Sequence, residues 1–321
     1  MRNRTKHNKK GGRIGRHSLK KTIKKQNCSP AVKGKTVLDH TCFTKEALEN
    51  LKIAYNTHHE NKDPITTNDP KMIWETLSAR LSHCDKETCW LNQISDPKMK
   101  EKMETQLFAP LQPKEWKKNH NEWLSNFDIL KVIKQYEETY PEFTFIGPTP
   151  IDFDTRIEGS DKEENGKCVW EDLCHFSLSE QLQKGKKKFG IIFNLDDHTQ
   201  NGSHWVSFFI DTTNDLGKPL LFYFDSTSAP IPPEIKKLVD RLLEQGKNLS
   251  INFDYNANTK TEHQKENTEC GMYSLFFIVS LLTREVENKP MKPKQLLNMF
   301  KGSKRIPDKY VEKYRSIYFN E

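Results

Sequence analysis

The chain has 321 residues, of which 34% are hydrophobic and 30% are charged, so it can fold as one large domain or two modest ones. Its formal net charge of +7 is unevenly spread, because residues 1–38 hold 13 of the 51 Lys and Arg residues and no Asp or Glu. The remainder carries 38 basic against 44 acidic residues. No run of 18 apolar residues occurs, so we predict no membrane span, and we expect no secretion signal.

Residues 1–38 have almost no periodic apolar pattern and are predicted to form a disordered basic tail. Such a tail is attracted to polyanions, which include nucleic acid, an anionic membrane face and acidic proteins. Nucleic acid is therefore one predicted partner of residues 1–38. A solvated or nuclear-targeting tail explains the same composition, and both interpretations stay open.

The seven cysteines form an odd set without the density of a disulfide scaffold, which favours a reducing intracellular compartment. Two groups of cysteine and histidine raise zinc as an alternative. Neither group has the Cys-x2-Cys spacing of a closed zinc site, so we predict no metal. The two groups are His83, Cys84 and Cys89, and Cys168, Cys174 and His175.

Helical patterns dominate the first part of the chain after the tail. An amphipathic run follows Thr44, and Asp69-Pro70 is typical of a helix start, with a capping side chain before a proline. Asn126 is predicted to cap a further helix that must end before Pro141. We therefore predict a helical N-terminal subdomain over residues 39–125 and a second domain over residues 126–321.

The second domain is predicted to be α+β, with a mixed or antiparallel sheet. Two helices are indicated, one that begins at Ser177 and ends at Gly185, and one over residues 232–246 closed by a glycine. Residues 270–282 are nearly all apolar, which indicates a helix buried on most sides. Short β-branched and aromatic runs predict the strands, namely EFTFIG, KKFGIIFNL, SHWVSFFIDT, PLLFYFDS and LSINFD.

Cys270 lies where a polar loop meets this apolar helix. The unsatisfied N–H groups of the first helical turn would favour a thiolate there, and Gly271 would leave room for an incoming carbonyl. A small hydrophobic residue at the start of a core helix is the plain alternative. The pattern becomes more specific with His204, which opens a buried strand beside Trp205.

Two further residues complete the candidate site. Asp225 ends the strand after the one that His204 opens, and adjacent strands would place its carboxylate near the imidazole to hold it in one tautomer. Gln264 lies six residues before Cys270, where its amide and the Cys270 N–H could both donate to an oxyanion. Each residue alone has a structural explanation, and the combination predicts nucleophilic catalysis.

The order His-Trp, Asp-Ser and Gln-x5-Cys-Gly resembles the clan of cysteine peptidases that contains the SUMO/ubiquitin-like proteases and the adenovirus proteinase. The chain looks most like the African swine fever virus-type polyprotein protease of large DNA viruses. Residues 189–278 carry most of the likeness, and weaker matches at 83–90 and 123–129 extend it towards the N-terminus. The resemblance implies a papain-like or adenain-like core with a mixed sheet and a buried catalytic helix.

The resemblance implies Cys270 as nucleophile, His204 as general base, Asp225 as the residue that orients the histidine, and Gln264 as oxyanion donor. It also suggests substrate-binding positions at Trp205, Asn194 and Gly271. Trp123-Leu124 lacks the acidic residue that follows in the Trp-Leu-x-Asp pattern of the cellular enzymes, which weakens recognition of ubiquitin-like proteins. No cofactor is implied.

By resemblance, the substrate is a viral structural polyprotein cut after Gly-Gly or Gly-x-Gly during virion maturation, in the virion and the virus factory of the host cytoplasm. Lys10-Gly11-Gly12-Arg13 offers such a sequence in the chain itself, so self-processing after Gly12 is a hypothesis. The alternatives are a SUMO-type isopeptidase, an acetyltransferase that uses an acyl-thioester, and a non-enzymatic virion protein that binds nucleic acid through its basic tail.

Overall fold

The computed structural model describes residues 23–157 and 166–321, and the elements below are those of the described residues. The strands are short. In chain order they are β1 (Phe143–Pro150), β2 (Arg156–Ile157), β3 (Lys167–Cys168), β4 (Lys188–Asn194), β5 (Trp205–Asp211), β6 (Leu220–Phe224), β7 (Asp254–Ala257), β8 (Glu285–Val286) and β9 (Lys289–Pro290).

The helices fall into an N-terminal group, a pair near the middle of the chain, and a group that surrounds the catalytic region. In chain order they are α1 (Lys45–His58), α2 (Pro70–Arg80), α3 (Pro97–Leu107), α4 (Asn126–Thr139), α5 (Glu171–Cys174), α6 (Leu178–Gln183), α7 (Pro233–Asn248), α8 (Cys270–Thr283), α9 (Pro293–Lys301), α10 (Asp308–Glu312) and α11 (Arg315–Tyr318).

A mixed five-stranded sheet organises the second half of the chain, in the order β1, β4, β5, β6, β7. The outer strands β1 and β7 run parallel to their neighbours, whereas β4, β5 and β6 pair antiparallel. The three central strands are buried along almost their whole length, because helices cover both faces. The predicted α+β fold with a mixed sheet is confirmed.

The two faces of the sheet bury different helices. Trp205 and Phe209 point to the face that α4, α8 and α9 cover, while Val206 and Phe208 point to the face that α5, α6 and α7 cover. This alternation is the two-residue period of a strand. Residues 270–282 of α8 are all buried, as their apolar sequence predicted, so the first residue of α8 is brought against the end of the sheet.

A separate hydrophobic cluster holds α1, α2 and α3 together around the buried side chain of Trp90. Residues 23–38 pack against this part of the molecule, with Val32 5% exposed and Cys28 bonded to Cys42. The prediction of a disordered tail through residue 38 is therefore wrong for residues 23–38, because partners distant in sequence hold them. Residues 1–22 lie outside the described residues.

Three predicted element ends differ from the structure. Ser125, not Asn126, caps α4, through a reciprocal capping box with Asp128. Helix α7 continues through Gly246, where a Cβ would lie 2.6 Å from the Phe253 ring, so this glycine permits close packing and does not stop the helix. The predicted strand LSINFD is a connection that leads into β7, since pairing with β6 starts only at Asp254.

Six of the seven cysteines are joined in disulfides, which the sequence analysis did not expect. The pairs are Cys28–Cys42, Cys84–Cys89 and Cys168–Cys174. The last two pairs belong to the Cys and His groups considered for zinc. A bonded sulfur is not a thiolate ligand, so a metal at either group would first require reduction of its disulfide.

Across the described ranges 23–157 and 166–321, no helix combines the length and the apolar character needed to cross a bilayer.

The amide side chain of Asn320 fastens the C-terminal segment to Asn27 and Ala109. Asn320, 5% exposed, accepts a hydrogen bond from the Asn27 N–H at 2.7 Å and donates to the carbonyl oxygens of Asn27 and Ala109, both at 2.9 Å. Because all three partners are backbone groups, removal of this side chain takes away a hydrogen bond that each of them makes.

We expect Asn320→Ala to lower the free energy of unfolding by about 2–3 kcal/mol, the cost of buried polar groups that lose their partners. Urea denaturation followed by circular dichroism measures it. Asn61→Ala is the matched control, since Asn61 is exposed, and should change stability by less than about 0.5 kcal/mol. Equal effects of the two substitutions would contradict the assignment.

Candidate active site

Cys270 is the first residue of α8 and its side chain is 1% exposed. It is the single unpaired cysteine among the residues that the structure describes. No side chain caps the N-terminus of α8, so the N–H groups of its first turn stay directed at this end of the helix. The partial positive charge of this helix end therefore lies beside the Cys270 sulfur.

His204 follows a loop that Asn194 holds in place. The Asn194 Oδ1 accepts hydrogen bonds from the N–H groups of Asp196, at 3.0 Å, and Ser203, at 3.1 Å. Gly202 lies against the same side chain with φ +97°, and a Cβ there would be 2.5 Å from the Asn194 amide nitrogen. Asn194 therefore shapes the loop that delivers His204.

The imidazole of His204 meets the carboxylate of Asp225, with 2.7 Å between Nε2 and Oδ1. Asp225 directly follows β6 and is 1% exposed. Its Oδ1 also accepts hydrogen bonds from the N–H and hydroxyl of Thr227, both at 2.9 Å, and its own N–H donates to Asn258 at 2.9 Å. These bonds hold the carboxylate in position to meet the histidine.

The charge balance at His204 favours the protonated ring. Burial lowers the pKa of His204, but hydrogen bonds and charge interactions with Asp225 and Cys270 outweigh burial and raise this pKa to about 10. Since Nε2 is bonded to Asp225, Nδ1 is the ring nitrogen left for Cys270. The structure thus brings together the predicted sulfur, imidazole and carboxylate.

Gln264 is buried in the loop before α8, at 5% exposure. Its Oε1 accepts a hydrogen bond from the Ser226 hydroxyl at 2.7 Å, and its N–H donates to the Ser226 carbonyl at 2.9 Å. The side-chain nitrogen donates to the Glu266 carbonyl, which leaves a second amide N–H for another acceptor. Ser226 therefore sets which way the Gln264 amide points.

Gly271 and Trp205 form a tight contact beside the nucleophile. A Cβ on Gly271 would lie 3.1 Å from the Leu124 Cβ and 3.3 Å from the Trp205 ring. The Trp205 Nε1 donates to the Leu124 carbonyl at 3.1 Å. The glycine thus lets α8 approach Trp205 and Leu124, whereas the sequence analysis had explained it by room for substrate.

A cleft of about 540 Å³ extends from this contact along the surface. Trp123, Trp170, Asp197, Gly202 and Trp205 are among its lining residues. Trp123 is 37% exposed, which is unusual for an indole and leaves its face available to a bound chain. Asn194 and Trp205, predicted to bind substrate, both line this cleft, whereas Gly271 is not among its lining residues.

Two supporting residues were missed by the sequence analysis. Ser226 donates a hydrogen bond to Gln264, and Asn258 accepts one from the Asp225 N–H. Ser226 could have been found, because it directly follows Asp225. Asn258 carried no signal, because it lies 33 residues from Asp225 and reaches it only through the parallel pairing of β7 with β6.

Comparison with known proteins agrees with this arrangement. Residues 182–318 match the model of the Ulp1 protease family, C-terminal catalytic domain. A relative from Acanthamoeba polyphaga mimivirus, which bears the name of a thiol protease, is 28% identical over 266 residues, 77% of this chain and 82% of the relative. A cysteine protease of African swine fever virus is 25% identical over 234 residues, 69% of this chain and 82% of the viral protease.

The chain is a cysteine protease, and its residues 182–318 are similar to the catalytic domain of the Ulp1 protease family. The crystal structure of the African swine fever virus protease shares its fold, with a TM-score of 0.57 and 21% identity, and covers 94% of this chain and 98% of that one. The resemblance drawn from the sequence motifs is thereby confirmed. The non-enzymatic alternative does not account for the protease domain.

The raised pKa of His204 links the stability of the protease to pH. A protonated histidine paired with Asp225 contributes its full stabilisation below the unfolded pKa of 6.5, and this contribution is lost as pH rises towards about 10. We expect the stability difference between wild type and Asp225→Asn to be largest near pH 6 and to shrink towards pH 10.

Urea denaturation of both proteins at a series of pH values measures this difference. Comparison of the two proteins at each pH removes the contribution of groups that titrate equally in both. The His204 ring signal in NMR should titrate far above 6.5 in wild type and nearer 6.5 in Asp225→Asn. A stability difference that is the same at pH 6 and pH 10 would contradict the assignment.

Proposed function

We propose that Cys270 is the nucleophile of the protease, His204 its general base and acid, and Asp225 the residue that orients the histidine. The 2.7 Å contact between the His204 Nε2 and Asp225, with the other ring nitrogen left for Cys270, carries this assignment. Cys270 and Asp225 are buried and the His204 side chain is only 18% exposed, which limits competing water.

In this proposal the proton stays within the site. The proton of the Cys270 thiol already resides on Nδ1 of the protonated His204 ring when the sulfur attacks the carbonyl carbon of the scissile peptide. The imidazolium then returns the proton to the leaving amine as the peptide bond breaks and a thioester remains. Water, deprotonated by His204, hydrolyses the thioester and restores the thiol. Asp225 keeps its hydrogen bond to Nε2 throughout.

The oxyanion of each tetrahedral intermediate is proposed to accept hydrogen bonds from the Cys270 N–H and the Gln264 amide. Support comes from the buried Gln264 side chain, whose carbonyl end is held by Ser226 so that the donor end is oriented before substrate binds. Fixed donors in a site with little water stabilise developing charge without reorganisation.

We propose that the substrate is a polyprotein cut after Gly-Gly or Gly-x-Gly. The indoles of Trp123 and Trp205 both line the cleft, and Trp205 packs against Gly271 beside Cys270, so a peptide without Cβ atoms would fit there most readily. The similarity to the mimivirus and African swine fever virus proteases makes a viral polyprotein, processed in the virion or host cytoplasm, the substrate that we favour.

Cleavage of a ubiquitin-like modifier is the second candidate. The related protease from some African swine fever virus isolates is named a SUMO-1 cysteine protease. In this chain Asn126 stands where the cellular enzymes have the acidic residue of Trp-Leu-x-Asp, so the expected contact to such a modifier is altered. Cleavage of SUMO and ubiquitin fusions beside a Gly-Gly-x peptide panel separates the two candidates.

The basic N-terminal segment, residues 1–38, is proposed to bind polyanions such as nucleic acid, a role that its 13 positive charges support. Titration of DNA into the protease assay at several salt concentrations tests this.

Acetyl transfer is a separate alternative for the Cys270 thiol, and labelling of Cys270 from acetyl-CoA would reveal it.

A peptide-library cleavage profile tests the substrate proposal. We expect the protease to prefer glycine on the amino side of the cut, because the tryptophans exclude side chains there. Cys270→Ala should lower kcat by several orders of magnitude with the fold intact. Cleavage that survives in Cys270→Ala would refute the mechanism, and a profile without glycine preference would refute the substrate class.

N-terminal sequencing of the same two proteins tests self-processing after Gly12. A new terminus at Arg13 in wild type alone supports it, whereas intact termini in both exclude it. Gly12 itself lies outside the described residues.

A double-substitution cycle tests the oxyanion site. We expect Gln264→Ala to lower kcat about a hundredfold. Ser226→Ala should lower kcat roughly tenfold, as loss of one orienting hydrogen bond allows. Because Ser226 acts through Gln264, the double variant should be no slower than Gln264→Ala alone.

Ser280→Ala is the control for this cycle, since Ser280 is a buried serine of α8 remote from Cys270 in sequence and should leave kcat unchanged. Additive losses in the double variant would show that Ser226 acts by another route.

A further inference from the structure

A buried ion pair lies directly before the nucleophile. The carboxylate of Glu269, the residue that precedes Cys270, accepts hydrogen bonds from Nε of Arg315 at 3.1 Å and from its Nη2 at 2.8 Å. The side chains of Arg315 and Glu269 are 8% and 2% exposed. Buried charges of this kind are stable only when they are paired.

Arg315 also holds one wall of the substrate cleft. Its Nη1 donates to the carbonyl of Glu122 at 2.9 Å, and its guanidinium carbon lies 4.3 Å from the centre of the Trp116 ring. Glu122 is followed directly by Trp123 and Leu124, and Leu124 accepts the hydrogen bond from Trp205. One guanidinium therefore joins the start of α8 to the segment that shapes the cleft.

The pair also controls charge beside the thiol. Burial raises the pKa of Glu269, while Arg315 opposes this and the charge of Glu312 reinforces it. Thr268, through its hydroxyl, and Tyr273 are the other polar groups that interact with Glu269. Without Arg315, an ionised Glu269 would be an unpaired negative charge next to Cys270, and like charges disfavour a thiolate.

We propose that Arg315 is a positioning residue of the protease: it neutralises Glu269 and fixes both the Cys270 end of α8 and the Trp123–Leu124 wall. Neither side chain touches the reacting atoms. The signature of this role is a difference in sign, because loss of Arg315 leaves an unpaired carboxylate one residue before Cys270, whereas loss of the Glu269 charge leaves an unpaired guanidinium there.

The test uses the full chain and the second-order rate of Cys270 alkylation by iodoacetamide at pH 7, with kcat and KM on a cleaved peptide. We expect Arg315→Met to lower the alkylation rate about tenfold and to lower kcat. Glu269→Gln should alkylate at least as fast as wild type. The double variant should recover to within about threefold of wild type, because no unpaired charge remains.

Arg305→Met is the matched control. Arg305 also contacts the loop before α8, through the His263 carbonyl at 2.6 Å, and it pairs with Asp308, not with Glu269. We expect this variant to lose thermal stability and to keep the wild-type alkylation rate, which separates positioning at Cys270 from general support of the loop.

The proposal is overturned if folded Arg315→Met, judged by circular dichroism, alkylates as fast as wild type. It is equally overturned if Glu269→Gln and the double variant are as slow as Arg315→Met, since that pattern shows a structural role alone. If Arg315→Met does not fold, Arg315→Gln replaces it, because this variant removes the charge and keeps hydrogen-bond donors. Cys270 should then be alkylated slowly in Arg315→Gln and not in Glu269→Gln.

Discussion

The active site of this protease depends on the close packing of α8 against the start of β5. Gly271 makes this possible, because a Cβ would lie 3.1 Å from Leu124 and 3.3 Å from Trp205. Residues 270–282 of the apolar helix are all buried, so the helix has little freedom to shift along the sheet. A thiol at its first residue therefore has a fixed position relative to the histidine that precedes β5.

Around this thiol the buried charges are compensated in two pairs. Asp225 faces His204, and Arg315 faces Glu269, so each of these two buried carboxylates has a basic partner. The second pair is supplied from α11, close to the point where Asn320 fastens the C-terminus to residue 27. The C-terminal segment thus links the catalytic helix to the N-terminal part of the chain.

Local sequence signals predicted most elements correctly where the stabilising partner is nearby. The N-caps at Asp69 and Ser177 are present, and so are the helix after Thr44 and the buried helix from Cys270. Predictions failed where a distant partner decides. Gly246 does not stop α7, because Phe253 packs against it, and residues 23–38 are held by contacts across the molecule.

By itself the sequence determined the chemical types at the site: a cysteine at a helix start, a histidine before a buried strand, and the Asp-Ser and Gln signals that match a protease clan. Only the tertiary structure decided that Nε2 faces Asp225, that Ser226 orients Gln264, and that Arg315 neutralises Glu269 from 46 residues away. The reason is physical. Residue type and local periodicity reflect near neighbours, whereas hydrogen-bond direction and charge pairing depend on which distant segments pack together.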